Sequence, residues 1–216
     1  MEEGIFTIAE KRPIRESMTI SRDAGLHSKN AVTWFSLGGG TSITQESYDS
    51  TAIYIAACGC ADFVLGESKT RADLQAGDML IVPGGTLCGV ETKHGTVYTE
   101  IIPEREIIMN DIVKTNETLK LKDLISYEEG SIANVDIAHN DTMKFVLMAF
   151  DAGCGLSPHR APGNAILTAL EGTATIGYEG KDYTLSEGES FRFEKNGLHS
   201  VTANGRFKMS LLLVLE

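Results

Sequence analysis

The chain has 216 residues, of which 42% are hydrophobic and 23% are charged, and its formal net charge is -11. This composition is typical of a globular protein with enough apolar side chains for a core, so it excludes an intrinsically disordered chain. The acidic excess repels phosphate backbones and anionic lipid, so we expect neither a nucleic-acid partner nor a membrane partner.

The sequence contains no segment that indicates membrane insertion or secretion. Its apolar runs, such as 211–215, are far shorter than the ~20 residues that a bilayer-spanning helix needs. The acidic start, MEEGIFTIAEKRP, lacks the apolar stretch of a secretion signal. Four cysteines are few for a disulfide framework of this size, and we expect them to be free thiols. We therefore expect a cytoplasmic protein.

Short apolar runs separated by glycines predict many short strands. In chain order the first half offers strands at 32–40, 51–60, 63–83 and 97–103. A Leu-rich stripe at 119–127 predicts one short helix, capped by Asn116 or Thr118. Further strands follow at 143–150, 165–172, 173–178, 181–193, 199–203 and 207–215, with Glu179-Gly180 as a hairpin turn.

The two halves of the chain repeat one pattern. Gly40 and Gly153 are 113 residues apart, and Gly59 and Gly172 have the same separation. Gly77 and Gly188 are 111 residues apart, so the first hairpin is two residues longer. The repeat predicts two similar domains, 1–104 and 105–216. Each has about eight short strands, and two stacked sheets or a jelly roll would leave few strand edges exposed.

The second half resembles the cupin superfamily on two motifs. Cupins carry G-x5-H-x-H-x3–4-E-x6-G, and this chain has GCGLSPHRAPGNAILTALEG at 153–172. They also carry G-x5-P-x-G-x2-H-x3-N, and this chain has GESFRFEKNGLHSVTAN at 188–204. His159 and His199 fall on the first and last ligand positions, whereas Ala161 replaces the second His and Ala165 replaces the Glu. The stretch HRAPGNA also resembles small bacterial cupins with H-x-A-P-G-D-A.

The first half matches the same template more weakly. GTSITQESYDSTAIYIAACG at 40–59 has Glu46, Tyr48 and Ala52 where His, His and Glu are expected. GDMLIVPGGTLC at 77–88 has Cys88 at the position of the last His. The resemblance implies an all-β fold of two tandem cupin barrels (jelly rolls, or double-stranded β-helices) with one short helix in the linker.

The resemblance also implies a candidate site. His159 and His199 would hold a divalent transition metal (Zn, Ni, Fe or Mn) in the C-terminal barrel, and no metal is expected in the N-terminal barrel. Turning inward at Pro162-Gly163, Asn164 would supply a weak third ligand. The alternative is that both histidines line a pocket without metal. We further expect Ala161, Ala165, Glu46, Tyr48 and Cys88 to line ligand pockets.

Three functions agree with these residues. The first is binding of an unknown small molecule, with a metal in the C-terminal barrel. The second is a metal-dependent oxygenase or isomerase acting on a small oxygen-rich substrate. The third is a structural or interaction protein without an open cavity. The fold alone does not decide among them. We expect the two halves to pack as a pseudo-dimer, and both a monomeric chain and a homodimer fit the sequence.

Overall fold

A computed structural model of the chain describes residues 4–215, so the extreme ends of the two predicted domains, residues 1–3 and 216, lie outside the described residues. Residues 42–46 and 70–75 alternate more exposed and less exposed side chains, as half-buried strands do, whereas residues 78–82 are buried throughout. The elements of the first half are β1 (Ile5–Phe6), α1 (Ile8–Lys11), β2 (Thr19–Asp23), β3 (Ala31–Leu37), β4 (Ser42–Glu46), β5 (Ala52–Leu65), β6 (Thr70–Gln75), β7 (Asp78–Val82), β8 (Cys88–Glu91) and β9 (Thr96–Ile102).

A linker with short elements joins the halves. It holds β10 (Ile108–Met109), β11 (Thr118–Lys120) and a 3₁₀ turn (Leu121–Asp123). The strands of the second half are β12 (Ile132–His139), β13 (Met143–Phe150), β14 (Gly155–Arg160), β15 (Asn164–Glu171), β16 (Thr173–Tyr178), β17 (Lys181–Ser186), β18 (Ser190–Phe193), β19 (Leu198–Ala203) and β20 (Phe207–Val214).

Each half curls into an antiparallel barrel built from a large and a small sheet. In the first half the large sheet has the order β11-β7-β5-β9-β3-β2, and β4, β8, β6 and the end of β5 form the small sheet. In the second half the large sheet has the order β1-β18-β15-β20-β13-β12-β10, and the small sheet has the order β14-β19-β16-β17. The predicted all-β fold with two tandem barrels is confirmed.

The glycine repeat corresponds to a repeat in the backbone. Gly59 and Gly172 mark the point where a strand leaves the large sheet for the small one, with φ angles of 70° and 78°. A Cβ at Gly59 would lie 2.1 Å from the carbonyl oxygen of Gly95, and one at Gly172 would lie 2.1 Å from that of Arg206. Only glycine tolerates this combination of positive φ and close approach.

Apolar side chains among the described residues form three clusters. One fills the first barrel around Tyr98 and Phe63, and one fills the second barrel around Phe191 and Phe207. The third lies between the outer faces of the two large sheets, with side chains such as Trp34. The barrels therefore share a core and pack against each other sheet to sheet.

Both halves also exchange edge strands. Strand β1, at the start of the chain, pairs with β18 of the second barrel, and β11, in the linker, pairs with β7 of the first. Asn30, only 3% exposed, bridges the halves: its Nδ2 donates to the carbonyl of Thr142, and its Oδ1 accepts from the backbone N–H of Glu104. These contacts tie the two barrels into one unit.

The linker differs in detail from the sequence prediction. The nine-residue helix expected over 119–127 is a three-residue 3₁₀ turn, Leu121–Asp123, and neither Asn116 nor Thr118 caps it. Residues 118–120 are instead a strand, because β7 offers them an unpaired edge. We did not predict the short helix α1, which begins with a capping box between Thr7 and Glu10.

The hairpin at Glu179-Gly180 is confirmed. Tyr178 pairs with Lys181, and the two turn residues have φ angles of 46° and 80°, as a type I′ turn requires. Among residues 4–215, no helix is long and apolar enough to cross a bilayer.

Candidate functional site

The structure brings His159 and His199 together at one end of the second barrel. His159 lies near the end of β14 and His199 near the start of β19, and the two residues are direct partners across this antiparallel pair. The ladder is irregular between Leu156 and His159, and such a bulge re-aims the side chains that follow it. The two ring centroids are 4.3 Å apart, with an angle of 53° between the ring planes.

Each imidazole is oriented by a backbone carbonyl two residues earlier in the chain. Nδ1 of His159 lies 2.9 Å from the oxygen of Ser157, and Nδ1 of His199 lies 2.9 Å from that of Gly197. A neutral imidazole next to a carbonyl must place its proton on the nitrogen that donates. Both Nε2 atoms are therefore left as acceptors, and no hydrogen bond to either involves another described residue.

The two histidines differ in exposure. His159 faces solvent, whereas His199 is only 6% exposed and stacks on Phe193, with ring centroids 4.2 Å apart. Burial lowers the pKa of His199 below its usual value, and neighbouring His159 lowers it further, while the hydrogen bond to Gly197 opposes both. His199 is therefore held neutral at physiological pH. Its Nε2 then has a free lone pair, which can bind a metal or accept a hydrogen bond.

The barrel interior beneath the pair is filled. Phe191, Phe193 and Tyr178 pack against one another with centroid distances of 5.2–5.8 Å. Gly197 leaves room for Tyr178, since a Cβ there would lie 2.7 Å from the tyrosine ring. Access to the two imidazoles is consequently from the solvent side, at His159, and not through a deep cavity.

The other predicted positions of the second barrel do not add a ligand. Ala165 lies inside the barrel and pairs with Phe193, and Ala161 lies in the loop after β14. Asn164 does not turn inward: its Nδ2 donates to the carbonyl of Leu26, and its Oδ1 accepts from the backbone N–H of Lys195. Successive residues of a strand face opposite sides, so an inward Ala165 leaves Asn164 on the outer face.

No three His, Cys, Asp or Glu side chains within residues 4–215 cluster closely enough to hold a metal ion. The protein therefore supplies two strong donors at this place, the Nε2 atoms of His159 and His199.

The first barrel repeats the geometry with different side chains. Glu46 and Cys88 are direct partners across β4 and β8, and the ladder is again irregular just before Glu46. This is the position that His159 and His199 occupy in the second barrel. Burial raises the pKa of Cys88 to about 11, so the thiol stays protonated and is a poor nucleophile. Tyr48 lies beside this pair and donates from its hydroxyl to Glu100, at 3.3 Å.

Glu100 is the residue of this region that the sequence did not single out. It is only 8% exposed and contacts the hydroxyls of Tyr48 and Tyr54. Burial raises its pKa above the usual range, the nearby Glu46 carboxylate adds to this, and the two tyrosines oppose it. Its alternation with Tyr98 along β9 was a signal that it faces the barrel interior.

The comparisons with known proteins agree with this architecture. Residues 146–215 match the family model described as a cupin domain. The whole chain superposes on a cupin 2 conserved barrel domain protein from Leptotrichia buccalis, with a TM-score of 0.87 and 23% identity, covering 99% of this chain and 98% of that one. The chain has the cupin fold.

Other cupin-fold relatives are more distant in sequence. A salicylate 1,2-dioxygenase from Pseudaminobacter salicylatoxidans superposes with a TM-score of 0.65 and 12% identity, covering 97% of this chain and 83% of that one. The oxalate decarboxylase of Bacillus subtilis has a TM-score of 0.57 and 12% identity, with 100% and 77% covered. No curated protein matches the sequence. At these identities the likeness establishes the cupin fold alone, so function rests on the residues of the site.

Proposed function

We propose that this cupin binds a small molecule at the mouth of its C-terminal barrel, through a divalent transition metal held by Nε2 of His159 and Nε2 of His199. The observation that carries the proposal is the orientation of the pair. Both Nδ1 atoms are hydrogen-bonded to backbone carbonyls, which leaves both Nε2 atoms free on rings 4.3 Å apart. Metal-bound histidines are usually oriented in this way by their second nitrogen.

The donor set suits some metals better than others. Imidazole nitrogens favour Zn²⁺, Ni²⁺ and Cu²⁺, whereas Mg²⁺ and Ca²⁺ require oxygen ligands. Ala165 stands where a carboxylate ligand would complete the cupin pattern, so this chain leaves the remaining coordination positions to solvent and to the bound molecule. A metal with open positions supplies a Lewis acid that binds oxygen atoms. The ligand class that fits is therefore a small molecule with one or two oxygen donors.

The chain's own residues have separate roles in this proposal. His199 is held neutral by burial and is fixed against Phe193, so it provides a rigid donor. His159 is exposed and marks the side from which metal and ligand enter. Arg160 and Glu179 lie at this rim, with Nη1 of Arg160 3.6 Å from Oε1 of Glu179. This ion pair adds no net charge to the rim.

Isothermal titration calorimetry with Zn²⁺ and with Ni²⁺ tests the proposal. The wild type is expected to bind one equivalent of metal, and His159→Ala and His199→Ala should each weaken binding by at least about tenfold, the loss that even a change in an outer-shell partner causes. His94→Ala is the matched control, because His94 is an exposed histidine in a loop of the first barrel. It should bind as the wild type does.

The proposal is wrong if the wild type binds no metal above background, or if the double variant His159→Ala/His199→Ala binds as tightly as the wild type while its circular dichroism spectrum is unchanged. A second titration adds a simple oxygen ligand, oxalate, to the Zn²⁺-loaded protein. Oxalate is expected to bind to the loaded wild type and not to the metal-free protein.

A further inference from the structure

A cavity of about 250 Å³ lies outside both barrel interiors, between the two large sheets. One wall consists of side chains on the outer face of the first large sheet, including Trp34, Ile55 and Ile101. The opposite wall comes from the second large sheet and includes Phe145 and Leu212. This place is distinct from the His159–His199 site, which lies on the small sheet of the second barrel.

A space of this size is exceptional in a packed core. Protein interiors leave few voids larger than a water molecule, and an apolar cavity of about 150 Å³ stays dry and binds benzene. The present cavity is larger, and linker and terminal elements border it: Leu121 from the 3₁₀ turn and Ile8 from α1. Segments from three parts of the chain thus border one partly open, mainly apolar space where the barrels could have packed directly.

Polar side chains border part of the cavity, among them the buried Thr99 and Ser210, and two pairs of them contact each other. Thr168 and Ser190 hydrogen-bond to each other at 2.8 Å. At the edge, Lys122 Nζ lies 3.9 Å from Oε1 of Glu187. Trp34 also borders the cavity: it is 6% exposed, and its buried Nε1–H has no acceptor among the residues that the structure describes.

From these observations we infer that the space between the barrels is a second ligand site, for an uncharged, mainly apolar molecule larger than benzene that carries a hydrogen-bond acceptor. Apolar walls select the body of the ligand, since burying its surface drives binding. Trp34 and Phe145 on opposite walls favour a ring, which packs offset or edge-on against aromatic side chains. The unpaired indole N–H supplies a donor that a small shift of the ring would direct to the ligand.

Trp34 is the chain's single tryptophan, so its fluorescence reports on this site alone. The probe is 6-propionyl-2-(dimethylamino)naphthalene, an uncharged aromatic ketone whose carbonyl accepts a hydrogen bond, which brightens in apolar surroundings and accepts excitation energy from tryptophan. Titration into the wild type is expected to give saturable probe emission together with quenching of Trp34, and to raise the melting temperature.

Two substitutions locate the binding. Ala57→Leu places a larger side chain on the cavity wall and is expected to weaken probe binding at least tenfold. Ala133→Leu is the matched control, because Ala133 is also half-buried in the shared core but does not border the cavity. The double variant His159→Ala/His199→Ala should bind the probe as the wild type does, which separates this site from the proposed metal site.

The inference is overturned if the wild type gives neither saturable emission nor quenching of Trp34, a result that needs no variant. It is also overturned if folded Ala57→Leu binds the probe as tightly as Ala133→Leu does. Should Ala57→Leu fail to fold, Ser210→Val makes the same test with a smaller change on the opposite wall, and unchanged binding there has the same meaning.

Discussion

His199 is the residue on which the candidate site depends most. Its burial lowers the pKa below 6.5, so the folded state favours the neutral ring more than the unfolded chain does. Its contribution to stability is therefore fully present above pH 6.5 and is lost as the pH falls through the lowered, folded-state pKa. The same neutral ring is the form that binds a metal.

We predict that the free energy of unfolding of the wild type, relative to His199→Gln, decreases as the pH is lowered from 7.5 to 5. Glutamine does not titrate, so the difference isolates the histidine. Urea denaturation at a series of pH values measures it. A difference that stays constant over this range would mean that His199 is not held neutral by the fold.

The contribution of Glu100 to stability depends on pH with the opposite sign. Burial raises its pKa above 4.5, so the folded state favours the protonated acid, and stability is lost as the pH rises above the pKa of the unfolded chain. Glu100→Gln replaces the buried acid by a neutral group of the same shape that can still hydrogen-bond to Tyr48. We expect the variant to gain stability relative to the wild type between pH 4 and pH 7.

Thermal or urea unfolding at both pH values tests this, with Glu104→Gln, an exposed acid on the same chain segment, as the control. Equal wild-type and Glu100→Gln stabilities at both pH values would contradict the account of a buried carboxyl with a raised pKa in the first barrel.

Sequence reasoning reached part of this residue-level picture. The template spacing placed His159 and His199 at matching positions, and the structure brings their rings into contact. The sequence did not establish which way Asn164 faces, because a register shift of one residue moves a side chain to the opposite face of the strand. In the structure the Nδ2 of Asn164 donates to the carbonyl of Leu26. The sequence also did not reveal Glu100, since its partners Tyr48 and Tyr54 lie about 50 residues away along the chain.

At the scale of elements, the strand breaks at Gly59 and Gly172 hold each barrel in shape. Both residues have a positive φ angle. A Cβ added at either residue would lie only 2.1 Å from a backbone carbonyl oxygen. Gly172→Ala is expected to destabilise the protein by roughly 1–3 kcal/mol, the cost of a strained backbone position. Gly59→Ala should have a similar effect, since it occupies the same place in the repeat.

Gly205→Ala is the matched control, because no heavy atom lies within 4 Å of a Cβ at Gly205 and its φ is not positive. It should change the free energy of unfolding by less than about 0.5 kcal/mol. If Gly205→Ala and Gly172→Ala lower the free energy of unfolding by similar amounts, the close approach of the backbone at Gly172 does not contribute to the cost of the substitution.

Elements were predictable where local pattern and tertiary pairing agree. The alternation over 173–178 and the Glu179-Gly180 turn predicted the hairpin that the structure has. The helix predicted from the stripe at 119–127 was wrong, because Leu119 pairs with Met79 at the edge of the first large sheet. This long-range pairing outweighs a weak helical preference. The capping box at Thr7 and Glu10 is a signal that the sequence did contain for α1.

At the scale of the whole molecule, the shared core, the exchanged strands and Asn30 join the two barrels. We predict one cooperative thermal transition in scanning calorimetry, with equal calorimetric and van't Hoff enthalpies. Two separate transitions would mean that the barrels fold independently of this interface. The domain boundary between residues 104 and 105 stays a prediction.

Asn30→Ala is expected to lower the free energy of unfolding by about 1–3 kcal/mol, because it leaves the backbone N–H of Glu104 and the carbonyl of Thr142 without their partner. Chemical denaturation measures the change, and Asn134→Ala, at an exposed position on β12, serves as the control. An effect no larger than that of the control would contradict the bridging role.

The pairing of two imidazoles at the barrel mouth is the central claim, and anomalous diffraction from crystals soaked in Zn²⁺ tests it most directly. Data collected on either side of the zinc absorption edge are expected to show a peak about 2.0–2.1 Å from Nε2 of both His159 and His199. Soaked crystals with no zinc peak between the two rings, or with zinc bound only elsewhere, would contradict it.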